Sequence, residues 1–216
     1  MDGYSMTMTA MAIAYFVSMG WAVRGHFQAG SMPRGMAATT ALTALAFAWF
    51  LERRWEVATG RAAVPDWADA AASAIIIADL GLFWWTVTAT RQNRLTLAFS
   101  PDIPSFIVAS GPYRLVRHPF YLSYLIFWSA TALGSASSAY WLVPFGLAIL
   151  YFGAARAEEK KFAISPLATE YNRYRARTGM IMPSFRRTRQ TRQASLWGTP
   201  ATPTAEDARS RWSADE

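Results

Sequence analysis

Five apolar segments constrain this chain more than anything else in it. They run approximately over 7–23, 35–51, 70–89, 120–134 and 139–155. A helix needs about 20 apolar residues to cross a bilayer, with a lower limit near ~17. The third segment fits that length well, the fourth is short, and the fifth contains Pro144. In hydrocarbon the backbone must satisfy its polar groups within each segment, so such runs become helices. The expectation is an all-α fold, a polytopic membrane helical bundle of about five transmembrane helices. Only Ser135-Ala136-Ser137-Ser138 joins the last two segments, which predicts a tight C-terminal hairpin.

Composition supports that class. Hydrophobic residues make up 53% of the chain and charged residues 16%, where a soluble domain carries about 25% charged residues. The absence of cysteine excludes disulfides, thiolate metal sites and a cysteine nucleophile. With two histidines, His26 and His118, no metal site is expected. The net charge of +7 on so apolar a chain points to membrane lipids rather than nucleic acid.

Loop charge predicts an orientation. If 24–34, 91–117 and the chain from Arg156 onward share one side, that side holds sixteen Lys and Arg up to Arg192. The other holds Arg53, Arg54 and Arg61. The positive-inside rule then makes the first side cytoplasmic, as for an integral protein of a bacterial inner membrane with a cytoplasmic active site and C-terminus. No Lys or Arg precedes Arg24, so the first segment reads as a retained helix rather than a secretory signal. Trp84, Trp85, Trp141 and Tyr140 suit interfacial belts.

Three regions are expected: N-terminal helices over 1–102, a core over 103–185, and a disordered basic and polar tail over 186–216. Within the core, the stretch 156–177 keeps a helical pattern broken at Pro166. Phe162, Leu167, Tyr171 and Tyr174 could form one face lying on the membrane or capping the bundle. Asp79 interrupts the third segment and is either functional or a packing residue. His26 reads as structural or exposed.

The chemistry concentrates at the two ends of the hairpin. Tyr113, Arg117, His118 and Tyr121 precede it, and Arg156, Glu158 and Glu159 follow it. An antiparallel hairpin returns its exit to its entrance, so the two clusters are expected to be neighbours. A mouth with both cations and carboxylates suits a zwitterionic ligand. Tyrosines add flat apolar surface with a polar tip, and Pro119 fits the first turn of a helix.

The pattern Gly-Pro-Tyr-Arg-x-Val-Arg-His-Pro-x-Tyr over 111–121, a short hairpin, then Arg-Ala-Glu-Glu-Lys-Lys-Phe and Glu-Tyr-x-x-Tyr, resembles the integral-membrane methyltransferases. These are similar to isoprenylcysteine carboxyl methyltransferase and the phospholipid methyltransferases. The resemblance covers about 103–183. It implies S-adenosylmethionine as methyl donor, bound in a cytoplasmic cap. By the same resemblance Ile107, Val108, Tyr113, Arg117, His118, Pro119, Phe120, Tyr121, Glu158 and Glu159 would line or hold the cofactor. Ser105 falls in that set where relatives often carry histidine. Arg156 would orient the acceptor's anionic group and, with Glu158, form the catalytic pair.

Membrane lipids are the implied partners, with a hydrophobic or prenylated acceptor. A carboxylate acceptor needs no general base and is the favoured expectation. An amine on a phospholipid headgroup would have to lose a proton, with Glu158, Glu159 or His118 as the available bases. Two other readings stand beside these. One is a non-catalytic membrane protein binding a small anionic ligand. The other is a membrane oxidoreductase of the sterol-reductase type, for which no nicotinamide signal is visible.

Overall fold

The computed structural model describes residues 3–27, 32–92, 94–95, 100 and 102–184. The tail expected over 186–216 lies outside the described residues. Among the described residues six α-helices follow one another: α1 (Gly3–Trp21), α2 (Arg34–Ala58), α3 (Asp66–Ala89), α4 (Pro119–Leu133), α5 (Leu142–Ala163) and α6 (Ala168–Arg177). A π-helical turn, Ala22–His26, extends α1. Short 3-10 turns, Gly111–Arg114 and Ser138–Trp141, lead into α4 and α5. No β-strand occurs among the described residues.

All five apolar segments are helical. Among the described residues four helices are long and apolar enough to cross a membrane: α1 with its π turn, α2, α3, and α5 with the turn before it. At 15 residues, α4 is roughly 22 Å long, shorter than the ~30 Å hydrocarbon core. It is also the helix most enclosed by protein, with Phe127, Trp128 and Thr131 fully buried. It packs on α3 and α5, and α3 packs on α1.

Local chemistry sets the helix ends. Asp66 and Asp69 lie in the first turn of α3, where negative charge is favoured by the helix dipole. Pro119 opens α4, where its missing N–H costs nothing. Pro144 falls within the first turn of α5 for the same reason, so it does not kink the helix. Beyond the expected end near 155, α5 continues through Glu158, Glu159, Lys160 and Lys161 to Ala163. Hydropathy ends the segment early because it records the lipid boundary, whereas the backbone ladder continues into water.

An aromatic spine fills the centre. Tyr15 stacks on Phe127 at 4.3 Å and Phe16 on Phe47 at 4.0 Å. The Tyr15 hydroxyl lies 2.5 Å from Ser123 Oγ. Asp79 is buried among these helices, and its carboxyl oxygens have no hydrogen-bond partner among the described residues. One belt expectation needs correcting. Tyr140 is fully buried and donates to the Ala46 carbonyl at 2.8 Å, so its polar tip is satisfied inside the bundle rather than at a membrane surface. Trp84, Trp85 and Trp141 are exposed.

The end of the bundle far from the motif is held by Arg54, which is 1% exposed. Its guanidinium donates to both carboxyl oxygens of Asp69 at 2.8 and 2.9 Å. It also donates to Gly134 O at 2.6 Å, Ser5 O at 3.0 Å, Ser5 Oγ at 2.6 Å and Thr9 Oγ1 at 3.1 Å. One side chain of α2 therefore ties the start of α1, the start of α3 and the end of α4. Breaking one member of a buried, hydrogen-bonded pair strands the other charge. Asp69→Ala is expected to destabilise the protein by about 3–5 kcal/mol, read as a lowered unfolding midpoint in detergent. The double change Arg54→Met with Asp69→Leu should recover most of that loss, because no charge is then left buried.

Candidate active site

The motif loop is built by steric necessity. Gly111 has φ +56°, a conformation that favours glycine. A Cβ there would also come within 3.0 Å of Ala89 Cβ and 3.2 Å of Trp85 Nε1 at the end of α3. The following turn buries Tyr113. The chain then runs beside the segment after α6. Val116 and Gly179 form an isolated parallel bridge, Arg117 N–H donates to Gly179 O at 2.8 Å, and His118 N–H donates to Met180 O at 3.0 Å. This strap fixes the direction in which His118 enters α4.

Arg117 locks the strap. It donates from Nε to Glu159 Oε1 at 2.8 Å, and from its fork to the carbonyls of Arg175 and Thr178. The Arg117 and Glu159 side chains are 8% and 9% exposed, so this is a buried, hydrogen-bonded ion pair. Glu158, one residue earlier on α5, points elsewhere. Tyr121 donates to Glu158 Oε1 at 2.5 Å, and His118 Nδ1 lies 3.5 Å from Glu158 Oε2. His118 Nε2 is 3.5 Å from Glu159 Oε1, yet it is buried and has no hydrogen-bond partner among the described residues. The rings of His118, Tyr121 and Tyr151 stack in sequence, at 5.4 and 5.3 Å between centroids. The hairpin thus brings the two predicted clusters together.

A cavity of about 960 Å³ opens at this point. Of the residues named from sequence, Ser105, Ile107, Val108, Tyr113, Arg117, His118, Phe120, Tyr121 and Glu158 line it. Pro119 is buried at the start of α4 and Glu159 stands behind Arg117. Arg156 is exposed on α5 and is not among the lining residues. It lies two residues before Glu158, about 200° around the helix, which turns it off the cavity face.

Sequence reasoning missed much of the wall. Tyr151, Ala154 and Lys161 line it from α5 beside the expected Glu158, a spacing of three to four residues that marks one helix face. That signal was available once α5 was extended past 155. Lys161 also donates to the Ser100 carbonyl. Tyr171 and Tyr174 of α6 close the roof. Tyr171 stacks on Phe162 at 4.1 Å, and Tyr174 donates to the Tyr113 carbonyl at 2.7 Å. Burial pushes the Tyr113 phenol well above its usual range and that of Tyr174 up to about 12. Both therefore remain neutral at physiological pH and offer an O–H rather than a phenolate. The other half of the cavity is lined by Phe16, Val17, Gly20 and Arg24 after and within α1, and by Met36, Thr40 and Ala44 of α2.

Residues 68–166 match the family model described as phospholipid methyltransferase. The match spans most of α3, the motif loop, α4 and all of α5, and bears out the resemblance carried by the motifs. The matched stretch is similar to that family of membrane methyltransferases. No curated protein matches the chain.

The strap is the site's most exacting steric point. A Cβ on Gly179 would lie 1.7 Å from the Met182 carbonyl oxygen and 3.0 Å from Ser184 N. Both are backbone atoms with no side-chain freedom to relieve the clash. Gly179→Ala is expected to release the strap from Arg117 and His118. The result should be a lower unfolding midpoint and accelerated tryptic cleavage around Arg175 and Arg177, while Gly153→Ala, where a Cβ meets nothing, leaves both unchanged.

Proposed function

We propose that the protein transfers a methyl group from S-adenosylmethionine to a membrane-borne, lipid-like acceptor. The carrying observation is that one cavity joins a polar aromatic chamber to an apolar groove. Tyr113, His118, Tyr121 and Glu158 form the chamber, and α1 and α2 form the groove. Methyltransferases of this family generally use S-adenosylmethionine, and the chamber's donors suit its amino-acid end. Glu158 offers a carboxylate for an ammonium, and the buried His118 Nε2 lacks a partner among the described residues. Ile107, Val108 and Phe106 supply apolar wall for the rest.

The methyl donor carries its own activation, as a sulfonium. The chain's residues have to hold, orient and exclude water. Transfer needs the acceptor atom in line at about 3–3.5 Å, and the stacked His118–Tyr121–Tyr151 rings give the chamber a rigid floor. The roof of Tyr171 and Tyr174 covers it from water. The charge asymmetry of the loops favours a cytoplasmic position for this end; in this reading the donor enters from water and the acceptor from the bilayer.

A carboxylate acceptor is already nucleophilic and needs no base. The family match favours a second reading, an amine on a phospholipid headgroup. There Glu158 or His118 Nε2 would take the proton that the attacking nitrogen loses.

Binding of S-adenosylmethionine to the purified protein, measured by calorimetry, tests the donor. His118→Ala and Glu158→Ala should each weaken it at least about tenfold, the scale of one charge-assisted hydrogen bond. Unchanged affinity in both variants would remove the reading. The groove is tested separately. A Cβ on Gly20 meets nothing within 4 Å, so Gly20→Trp fills open space. It should abolish methyl incorporation into membrane lipid extracts while leaving donor affinity as in the wild type.

A further inference from the structure

We propose that Arg24 receives the phosphodiester of a glycerophospholipid whose acyl chains lie in the groove between α1 and α2. The proposal rests on reading that groove as the acceptor's half of the cavity.

Arg24 sits within the π-helical turn Ala22–His26, closed by Phe27 N–H donating to Ala22 O at 3.2 Å. Single π turns alter the direction of the side chains they carry and recur at functional sites. This one is anchored. His26 is buried, and its Nε2 lies 2.8 Å from Thr90 Oγ1. The Thr90 hydroxyl already donates its one proton to the Thr86 and Val87 carbonyls, so His26 must be the donor to it. Trp21 packs on the same imidazole with centroids 6.1 Å apart. With His26 held against α3, Arg24 is presented to the cavity.

Its charge is available. The other cations of the cavity have partners: Arg117 pairs with Glu159, His118 faces Glu158, and Lys161 donates to Ser100 O. Arg24 is exposed and has no carboxylate partner among the described residues. A guanidinium at the rim of an apolar groove attracts an anion carried by an apolar body, and its fork matches phosphate oxygens.

The groove fits such a body. Phe16, Val17, Met36 and Ala44 line it, and Val17 is 64% exposed. The hydroxyls of Thr39 and Thr43 donate within their own helix, so they present little unmet polarity to a chain. Trp21, 48% exposed beside Arg24, suits the headgroup level of a bilayer. The reacting carboxylate of a fatty or prenylated acid would have to sit in the chamber beside His118 and Glu158, on the α4 and α5 side. Arg24 is on the α1 side. The anion it reads is therefore separate from the methyl-accepting atom, as a phosphodiester is separate from the headgroup atom beyond it.

The test compares two short-chain probes on the full-length protein in neutral detergent: dioctanoyl phosphatidylethanolamine and the phosphate-free dioctanoylglycerol. Wild type should bind the first at least about tenfold more tightly. Arg24→Gln should erase that preference, Arg24→Lys should keep part of it, and S-adenosylmethionine affinity should be unchanged in both. A wild type without the preference, or an Arg24→Gln protein that retains it, overturns the proposal. A wild type that shows the Arg24-dependent preference but binds no S-adenosylmethionine would sink the methyl-transfer reading and leave the phosphate site standing.

Discussion

The buried pair between Arg117 and Glu159 is the interaction on which the functional end depends. A charge removed from water must be matched by an opposite charge and by hydrogen bonds to its remaining donors. Arg117 meets that demand by reaching Glu159 on α5 and two carbonyls near the end of α6. In doing so it ties three distant parts of the chain: the motif loop, the hairpin exit and the strap at Gly179. It also separates two adjacent glutamates into different tasks. Glu159 is consumed by the fold, which leaves Glu158 facing the cavity with Tyr121 and His118 beside it.

The two ends of the bundle solve opposite problems. At the far end, Arg54 is saturated by Asp69, Ser5, Thr9 and Gly134, which closes the helices around one fixed cation. At the motif end the helices line a cavity of about 960 Å³. Closing the bundle at one end allows it to stay open at the other. The aromatic spine of Tyr15, Phe127, Phe16 and Phe47 lies between and carries packing but no solvent-accessible chemistry.

Much of the site was legible because membrane physics leaves a strong imprint on sequence. The hairpin brought Tyr121 and His118 to Glu158 as expected, since a short loop between two apolar runs permits little else. Arg156 shows the limit of that reasoning. Its place next to the glutamates suggested a shared role, but a helix turns about 100° per residue, and the structure leaves it exposed. Glu158 and Glu159 could not be told apart by position alone, because which one meets Arg117 depends on the rotation of α5 against the motif loop. Tyr171 and Tyr174 read as one face of a helix lying on the membrane or capping the bundle, and the fold of α6 back over the loop makes them a roof.

By itself the sequence determined that the chain is a helical membrane bundle, that its candidate site residues cluster at one end, and that the motif residues and the glutamates meet. Those conclusions follow from hydrophobic length and from the short hairpin, which are properties local in the chain. The tertiary structure alone decided that Arg54 would be a staple, that Arg24 would face a cavity, and that α1 and α2 would form one of its walls. Each of these depends on the rotation and crossing of helices distant in sequence. Apolar runs as uniform as those of α1 and α2 carry no record of which face turns inward.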